Sequence, residues 1–129
     1  MESKISFNTP KVPRGNMFIP QAVIAAGLVF VSGTTGVNPE TGKLISESYE
    51  AQVEQAFQNI KTILEEAGSN LEKVVKTTAF MVSGQDPDFA VINKIYAKFF
   101  PVSPPARSAP QVMPFPGGIL FSVECIALA

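Results

Sequence analysis

In the stretch PPARSAP, residues 104–110, one arginine sits among prolines and small side chains. The 129-residue chain has only two arginines, Arg14 and Arg107, against eight lysines. A guanidinium offers two parallel N–H donors that match a carboxylate, whereas an ammonium is a point charge. Flanking prolines stiffen the backbone, so such a fork is held before a ligand arrives. Residue type alone leaves two readings of Arg107 open: a carboxylate anchor, or an ion pair across an interface. Structural pairing is the commoner fate of an arginine.

The missing side chains narrow the chemistry further. The chain has no histidine, no tryptophan and a single cysteine, Cys125. Histidine ligands and multi-cysteine metal sites are excluded, so no metal site is expected. Intrachain disulfides and Ser-His or Cys-His nucleophile pairs are excluded too. Catalysis would rest on carboxylates, hydroxyls, backbone amides and bound water. A net charge of −1 with dispersed basic residues lacks the footprint of a nucleic-acid binder, which argues against a ribonuclease. No apolar run approaches the roughly 18 residues that span a bilayer. The opening MESKISFNTPKVPRG has neither the apolar core of a secretory signal nor the Arg-rich character of a transit peptide. The expected location is the cytoplasm, with no membrane partner.

Several elements must position these groups. Length and a 46% hydrophobic content point to one domain, residues 1–129, with a sizeable core. QAVIAAGLVFVSG (21–33) reads as two strands around a turn at Ala26-Gly27. VNPETGK (37–43) reads as a turn or hairpin loop built on Pro39 and Gly42. A helix is expected over roughly 48–67, with Val53, Ala56, Phe57, Ile60, Ile63, Leu64 and Ala67 at helical spacing and Gly68 as its C-terminal cap. VVKTTAFMVS (74–83) reads as a buried strand. A second helix is expected over about 87–100, with Asp86 capping and Pro87 in the first helical position. Six of the eleven prolines fall between 101 and 116, before an apolar closing strand in GGILFSVECIALA (117–129). The expected order is β-β-α-β-α-β-β, an α+β fold with two helices packed on one face of a mixed sheet. Both faces of the last strands look largely apolar, so the open face calls for cover, most simply by oligomerisation.

QAVIAAGLVFVSG, NPETGKL, QAFQNIKTILEEAG, VVKTTAF, DFAVINKIYAKFF, PPARSA and ECIALA together resemble the RidA (YjgF-like) family of reactive intermediate imine deaminases. The resemblance runs from about residue 20 to the end of the chain. It implies a chorismate-mutase-like fold, a homotrimer with pockets between subunits, and hydrolysis of 2-imino acids such as 2-iminopropanoate and 2-iminobutanoate to 2-oxo acids and ammonia, without a cofactor. Arg107 falls on the family arginine that grips the substrate carboxylate. Ser32, Gly33 and the amide of Ala109 match pocket-lining positions, as do Phe89 and Asn93 on the second helix. From residue type alone, Phe89 also reads as core and Asn93 as a backbone-bonding side chain.

Three positions differ from the family pattern. Where the family usually carries a tyrosine, two residues before the glutamine of its PYSQAV-like segment, this chain has Ile19. Where many members carry cysteine after the arginine, it has Ala109. Where the family's water-holding glutamate falls, it has Ser122, with Glu124 matching a second glutamate. Strand alternation points Ser122 and Glu124 to the same face. Serine can hydrogen-bond water but is no general base near neutral pH. Two alternatives therefore stand beside the deaminase of small imino acids. One is a deaminase of another enamine acid, of the aminoacrylate or aminomuconate type, favoured by the more apolar Ile19. The other is a trimeric metabolite-binding or regulatory protein without turnover.

Overall fold

The structure, a computed structural model, describes residues 3–129. Its chain order is β1 (Ile5–Phe7), β2 (Ala22–Ala25), β3 (Leu28–Thr34), α1 (Tyr49–Glu66), β4 (Val74–Val82), α2 (Ala90–Phe99), β5 (Ala106–Ser108), β6 (Gln111–Val112) and β7 (Phe121–Leu128). The strands form one sheet in the order β1-β2-β3-β7-β4-β5, with β6 also paired to β4. β5 and β6 run parallel to β4, and the other neighbours are antiparallel. The α+β architecture, two helices on one face of a mixed sheet, is the one the sequence predicts. It gains an N-terminal strand, β1, and has two short strands, β5 and β6, ahead of β7 where the expected order has one.

Local chemistry explains the boundaries. Ala26 and Gly27 both have positive φ, 53° and 75°, as a tight two-residue hairpin between β2 and β3 demands. Ser48 caps α1 by accepting from the Ala51 amide at 3.3 Å. At the other end Gly68, with φ 88°, donates to the Glu65 carbonyl while Ser69 donates to Leu64. This pair of bonds satisfies carbonyls the helix leaves free. α2 begins later than expected. Its first helical residue is Ala90, and Pro87 lies in the preceding turn rather than at the first helical position. Asp86 still serves the helix start, accepting from the Val91 and Ile92 amides at 3.1 and 2.9 Å.

The helices bury their apolar stripes against Val29, Val31, Ala79, Met81, Phe121, Val123 and Ala127 of the sheet. Phe57 of α1 lies at the centre, its ring stacked on Phe99 at 5.7 Å and tilted against Phe121 at 5.9 Å. Burying such a ring contributes roughly 1.5–3 kcal/mol. The open face is more mixed than expected. Phe30, Phe80 and Ile126 share it with Lys76, Thr78, Ser122 and Glu124.

Candidate active site

β4 places Arg107. In the parallel pairing of β4 with β5, Thr77 lies beside Arg107, so their side chains share a face. Thr77 is buried beneath the helices, and Arg107 therefore points to the helix-covered side, at the edge of the sheet. There its guanidinium lies over the Tyr96 ring, 4.9 Å from the centroid. A contact of this kind contributes about 0.5–2 kcal/mol, more as water is excluded. All four ion pairs among the described residues use lysine, so Arg107 keeps its charge without a carboxylate partner.

Tyr96 is itself held at two points. Its hydroxyl lies 2.8 Å from Thr77 Oγ1 and donates to the Pro105 carbonyl at 3.3 Å. A phenol has one proton to give, so Thr77 is the donor in the shorter bond. Burial raises the Tyr96 pKa, which keeps that proton in place. Asn93 and Tyr96 are three apart on α2 and share a face, while Phe89, expected on the helix, is the left-handed residue just before it. Phe89 packs partly into the core with φ 61°, while Asn93 is exposed and its amide donates to the Phe89 carbonyl at 2.9 Å. Ala109, two residues beyond Arg107, is partly buried against the core.

The second group of residues forms at a bulge. β3 and β7 pair Val31 with Cys125 and Thr34 with Val123, leaving Ser32 and Gly33 opposite Glu124 alone. An extra residue of this kind bends a strand and re-aims its side chains. Ser32 turns to donate its hydroxyl to the Pro20 carbonyl at 2.7 Å. Gly33 comes so close to Ser122 that a Cβ on residue 33 would lie 3.1 Å from Ser122 Oγ. Beside the bulge is a cleft of about 270 Å³ lined by Arg14, Ile19, Pro20, Ser32, Gly33 and Ile119, among others. Ile19 is 52% exposed. Its loop is fastened by Arg14, which donates from Nη2 to the carbonyls of Met17 and Ile19 at 3.0 and 3.2 Å. The two arginines thus have different occupations, and Arg14 is a loop staple.

The structure lines one cleft with Ile19, Ser32 and Gly33 and sets Ser122 against Gly33, and separately it sets Arg107 on Tyr96, one turn beyond Asn93 on α2. It does not join the two groups within one chain. Ser122 pairs with Phe80 and Glu124 with Thr78, which puts both on the open face of the sheet. Arg107 lies across β4 on the other face. Glu124 is exposed and stands opposite the bulge, while Ser122 is the residue that meets Gly33. A larger cleft, about 530 Å³, lies between the C-terminal ends of the helices beside Lys61, Lys98 and Phe99, and holds none of these groups.

Sequence reasoning missed Tyr96 as the shelf under Arg107, because at helical spacing beside Ile92, Ile95 and Phe99 it reads as one more apolar-face residue. It also missed Gln52 and Asn59. Gln52 donates to the carbonyls of Ser46 and Gly118 and accepts from the Leu120 amide, while Asn59 donates to the carbonyls of Thr35 and Val37. These bonds fix the loops on either side of Gly33 and Ser122. Two amides seven residues apart on the buried face of α1 were the available signal. Among the described residues no group of three or more His, Cys, Asp or Glu could hold a metal ion. No helix there is long and apolar enough to cross a membrane. Burial pushes the Cys125 thiol up to about 12, which leaves it unreactive at neutral pH.

A mixed sheet carrying two helices on one face defines a small α+β protein, and one family model matches its sequence. That model, endoribonuclease L-PSP, matches residues 15–129, and the chain belongs to this family, which includes proteins named as reactive intermediate deaminases. It is 44% identical over 120 residues to the Reactive Intermediate Deaminase A, chloroplastic, of Arabidopsis thaliana, covering 93% of this chain and 63% of that relative. Against the human 2-iminobutanoate/2-iminopropanoate deaminase the identity is 34% over 121 residues, covering 94% of this chain and 87% of that protein. The crystal structure of RidA from an Antarctic Psychrobacter superposes with a TM-score of 0.89 at 37% identity, covering 97% of this chain and 99% of that one.

Proposed function

We propose that the protein hydrolyses reactive 2-imino acids and their enamine tautomers, 2-iminopropanoate and 2-iminobutanoate among them, to 2-oxo acids and ammonia. Its sites would form between copies of the chain in a homotrimer. The observation that carries this reading is the Arg107 guanidinium, shelved on Tyr96 at the sheet edge with no carboxylate partner among the described residues. Such a fork is complementary to the carboxylate that all these substrates share. The same geometry supports an assembly of more than one copy. Arg107 and Ser122 lie on opposite faces, so a pocket holding both draws on two copies, with Arg107, Ala109, Phe89 and Asn93 from one and Ile19, Ser32, Gly33 and Ser122 from its neighbour. Partly exposed Phe30 and Ile126 on the open face would gain cover in that assembly.

The chemistry suits these residues. Water adds to the imine carbon, a proton passes to nitrogen, and the carbinolamine collapses to the 2-oxo acid with loss of ammonia. The imine nitrogen is itself basic, so the protein supplies orientation more than proton transfer. Arg107 fixes the carboxylate, and Ser122 with backbone amides such as that of Gly33 positions the water and the polarised nitrogen. No cofactor or metal takes part in this scheme. A chain of net charge −1 without histidine suits a small carboxylate far better than RNA.

The test is a coupled assay. An amino-acid oxidase or dehydratase generates the imine in situ, and release of 2-oxo acid is followed with the wild type and with Arg107→Ala. The expected result is acceleration that falls on the order of 100-fold in the variant, the loss typical of a charged hydrogen bond. A second reading draws on Ser122 standing where a water-holding glutamate is expected: a trimeric protein that binds such carboxylates without turnover. Binding of 2-oxobutanoate with no acceleration across a panel of imino and enamine acids would select it. Turnover confined to a larger enamine acid would select the aminoacrylate- or aminomuconate-type deaminase.

A further inference from the structure

We propose that Tyr96 is a positioning residue for Arg107, setting the direction of the guanidinium fork so that both N–H donors meet the substrate carboxylate. The inference rests on Arg107 being the carboxylate anchor. An arginine side chain has four rotatable bonds, and fixing it costs up to roughly 2 kcal/mol of rotamer entropy unless its surroundings already hold it. Among the described residues no ion pair engages Arg107, and the Tyr96 ring is its aromatic shelf, 4.9 Å beneath the guanidinium carbon. A ring face directs a stacked guanidinium parallel to itself, leaving the N–H edge pointing outward.

The ring can serve as a reference surface because its far end is fixed to β4 and to the residue just before β5, the strand that carries the arginine. Thr77 Oγ1 donates to the Tyr96 hydroxyl, and that hydroxyl donates to the Pro105 carbonyl. Thr77 is the residue paired with Arg107 across β4 and β5, and Pro105 lies two residues before Arg107. A closed bracket results, running from Thr77 to Tyr96, to Pro105, along the chain to Arg107, and back to Thr77 through the sheet. Phe57 backs the ring from the core side, edge-on at 6.0 Å, and Phe100 lies 4.7 Å from it. Tyr96 therefore does not depend on the ligand for its place.

Two variants separate this role from simple support of the fold. Tyr96→Phe keeps the shelf and loses the two hydroxyl bonds, while Tyr96→Leu loses the shelf. Each is measured by thermal melting, by titration with 2-oxobutanoate as a non-reacting probe, and by turnover in the coupled assay, alongside Arg107→Ala and Arg107→Lys. Tyr96→Leu is expected to raise KM and the probe's Kd about tenfold with kcat changed less than threefold, and Tyr96→Phe to recover most of that loss. In the Arg107→Lys background, where no planar fork remains to be oriented, Tyr96→Leu is expected to change KM less than threefold. A folded Tyr96→Leu with wild-type KM and Kd overturns the proposal, as does an equal loss in both backgrounds. Should Arg107→Ala itself bind and turn over normally, the anchor reading fails first, and that result is distinct from either.

Discussion

Gly33 stands against Ser122 across the bulge between β3 and β7, with 3.1 Å between the place of a Cβ on residue 33 and the serine oxygen. Apart from its chain neighbours, no other described residue lies within 4 Å of that Cβ position. Gly33→Ala should therefore fold, pushing Ser122 aside by a few tenths of an ångström and narrowing the space for water. The expected outcome is a loss of about tenfold or more in kcat/KM with a melting temperature within a few degrees of wild type. Equal activity in Gly33→Ala would remove the bulge from the site.

Ser122 and Glu124 point to the same open face, yet only Ser122 meets Gly33. Ser122→Ala should lower kcat by roughly 10-fold, the scale of one lost neutral hydrogen bond to a reacting water. Glu124→Gln should leave kcat within about threefold, since an exposed carboxylate opposite the bulge is expected to stay solvated. The reverse pattern in steady-state kinetics would transfer the water-holding role to Glu124.

Ile19 is half-exposed on a loop stapled by Arg14, and it lines the cleft beside Ser32 and Gly33. An apolar wall there discriminates by the transfer free energy of the substrate side chain, about 1–3 kcal/mol for each methylene-sized difference. Ile19→Ser should shift preference toward the smallest imino acid, lowering kcat/KM for 2-iminobutanoate about 10-fold relative to 2-iminopropanoate. An unchanged ratio would show that the loop does not reach the substrate.

Much of this arrangement was legible in the residues. Alternation and helical spacing located β2, β3, β4, β7 and both helices, since burial patterns are written directly into periods of two and 3.6. The start of α2 was misplaced because Asp86 reaches forward from a turn, and a cap acting at that distance looks like an adjacent one in sequence. β5 and β6 were hidden because short parallel edge strands are defined by their partner, β4, rather than by their own residues. Arg107 stood out by residue type, and its proposed role, like those of Gly33 and Ser122, came from the family resemblance. Tyr96, Gln52 and Asn59 were not found, because their roles depend on tertiary neighbours that no local pattern encodes.

Gln52 shows what such a tertiary role contributes. It is fully buried, and its amide satisfies the Ser46 carbonyl, the Gly118 carbonyl and the Leu120 amide. Gln52→Leu is nearly isosteric but strands these groups, at about 1–3 kcal/mol for each one left without a partner or water. Chemical denaturation should report a loss of about 2–4 kcal/mol, with activity reduced as the loops around Gly33 and Ser122 loosen. Stability within about 0.5 kcal/mol of wild type would mean that water replaces the amide, as it does at exposed sites.

Cys125 gives the fold a dependence on alkaline pH. Burial pushes its thiol from the ordinary 9.0 up to about 12, with the charge of Glu124 adding to the shift, and Tyr96 is raised from 10.0 by burial as well. Between pH 9 and 12 the folded chain keeps protons that the unfolded chain has released. Stability contributed by these groups is therefore fully present below about pH 9 and is lost as pH rises through the folded values. Denaturation midpoints should be level from pH 7 to 8 and fall steadily above pH 9. Cys125→Ala should start lower, for want of a packed sulfur, and decline less steeply over the same range. A variant with the wild-type slope would show that the buried thiol is not the group responsible.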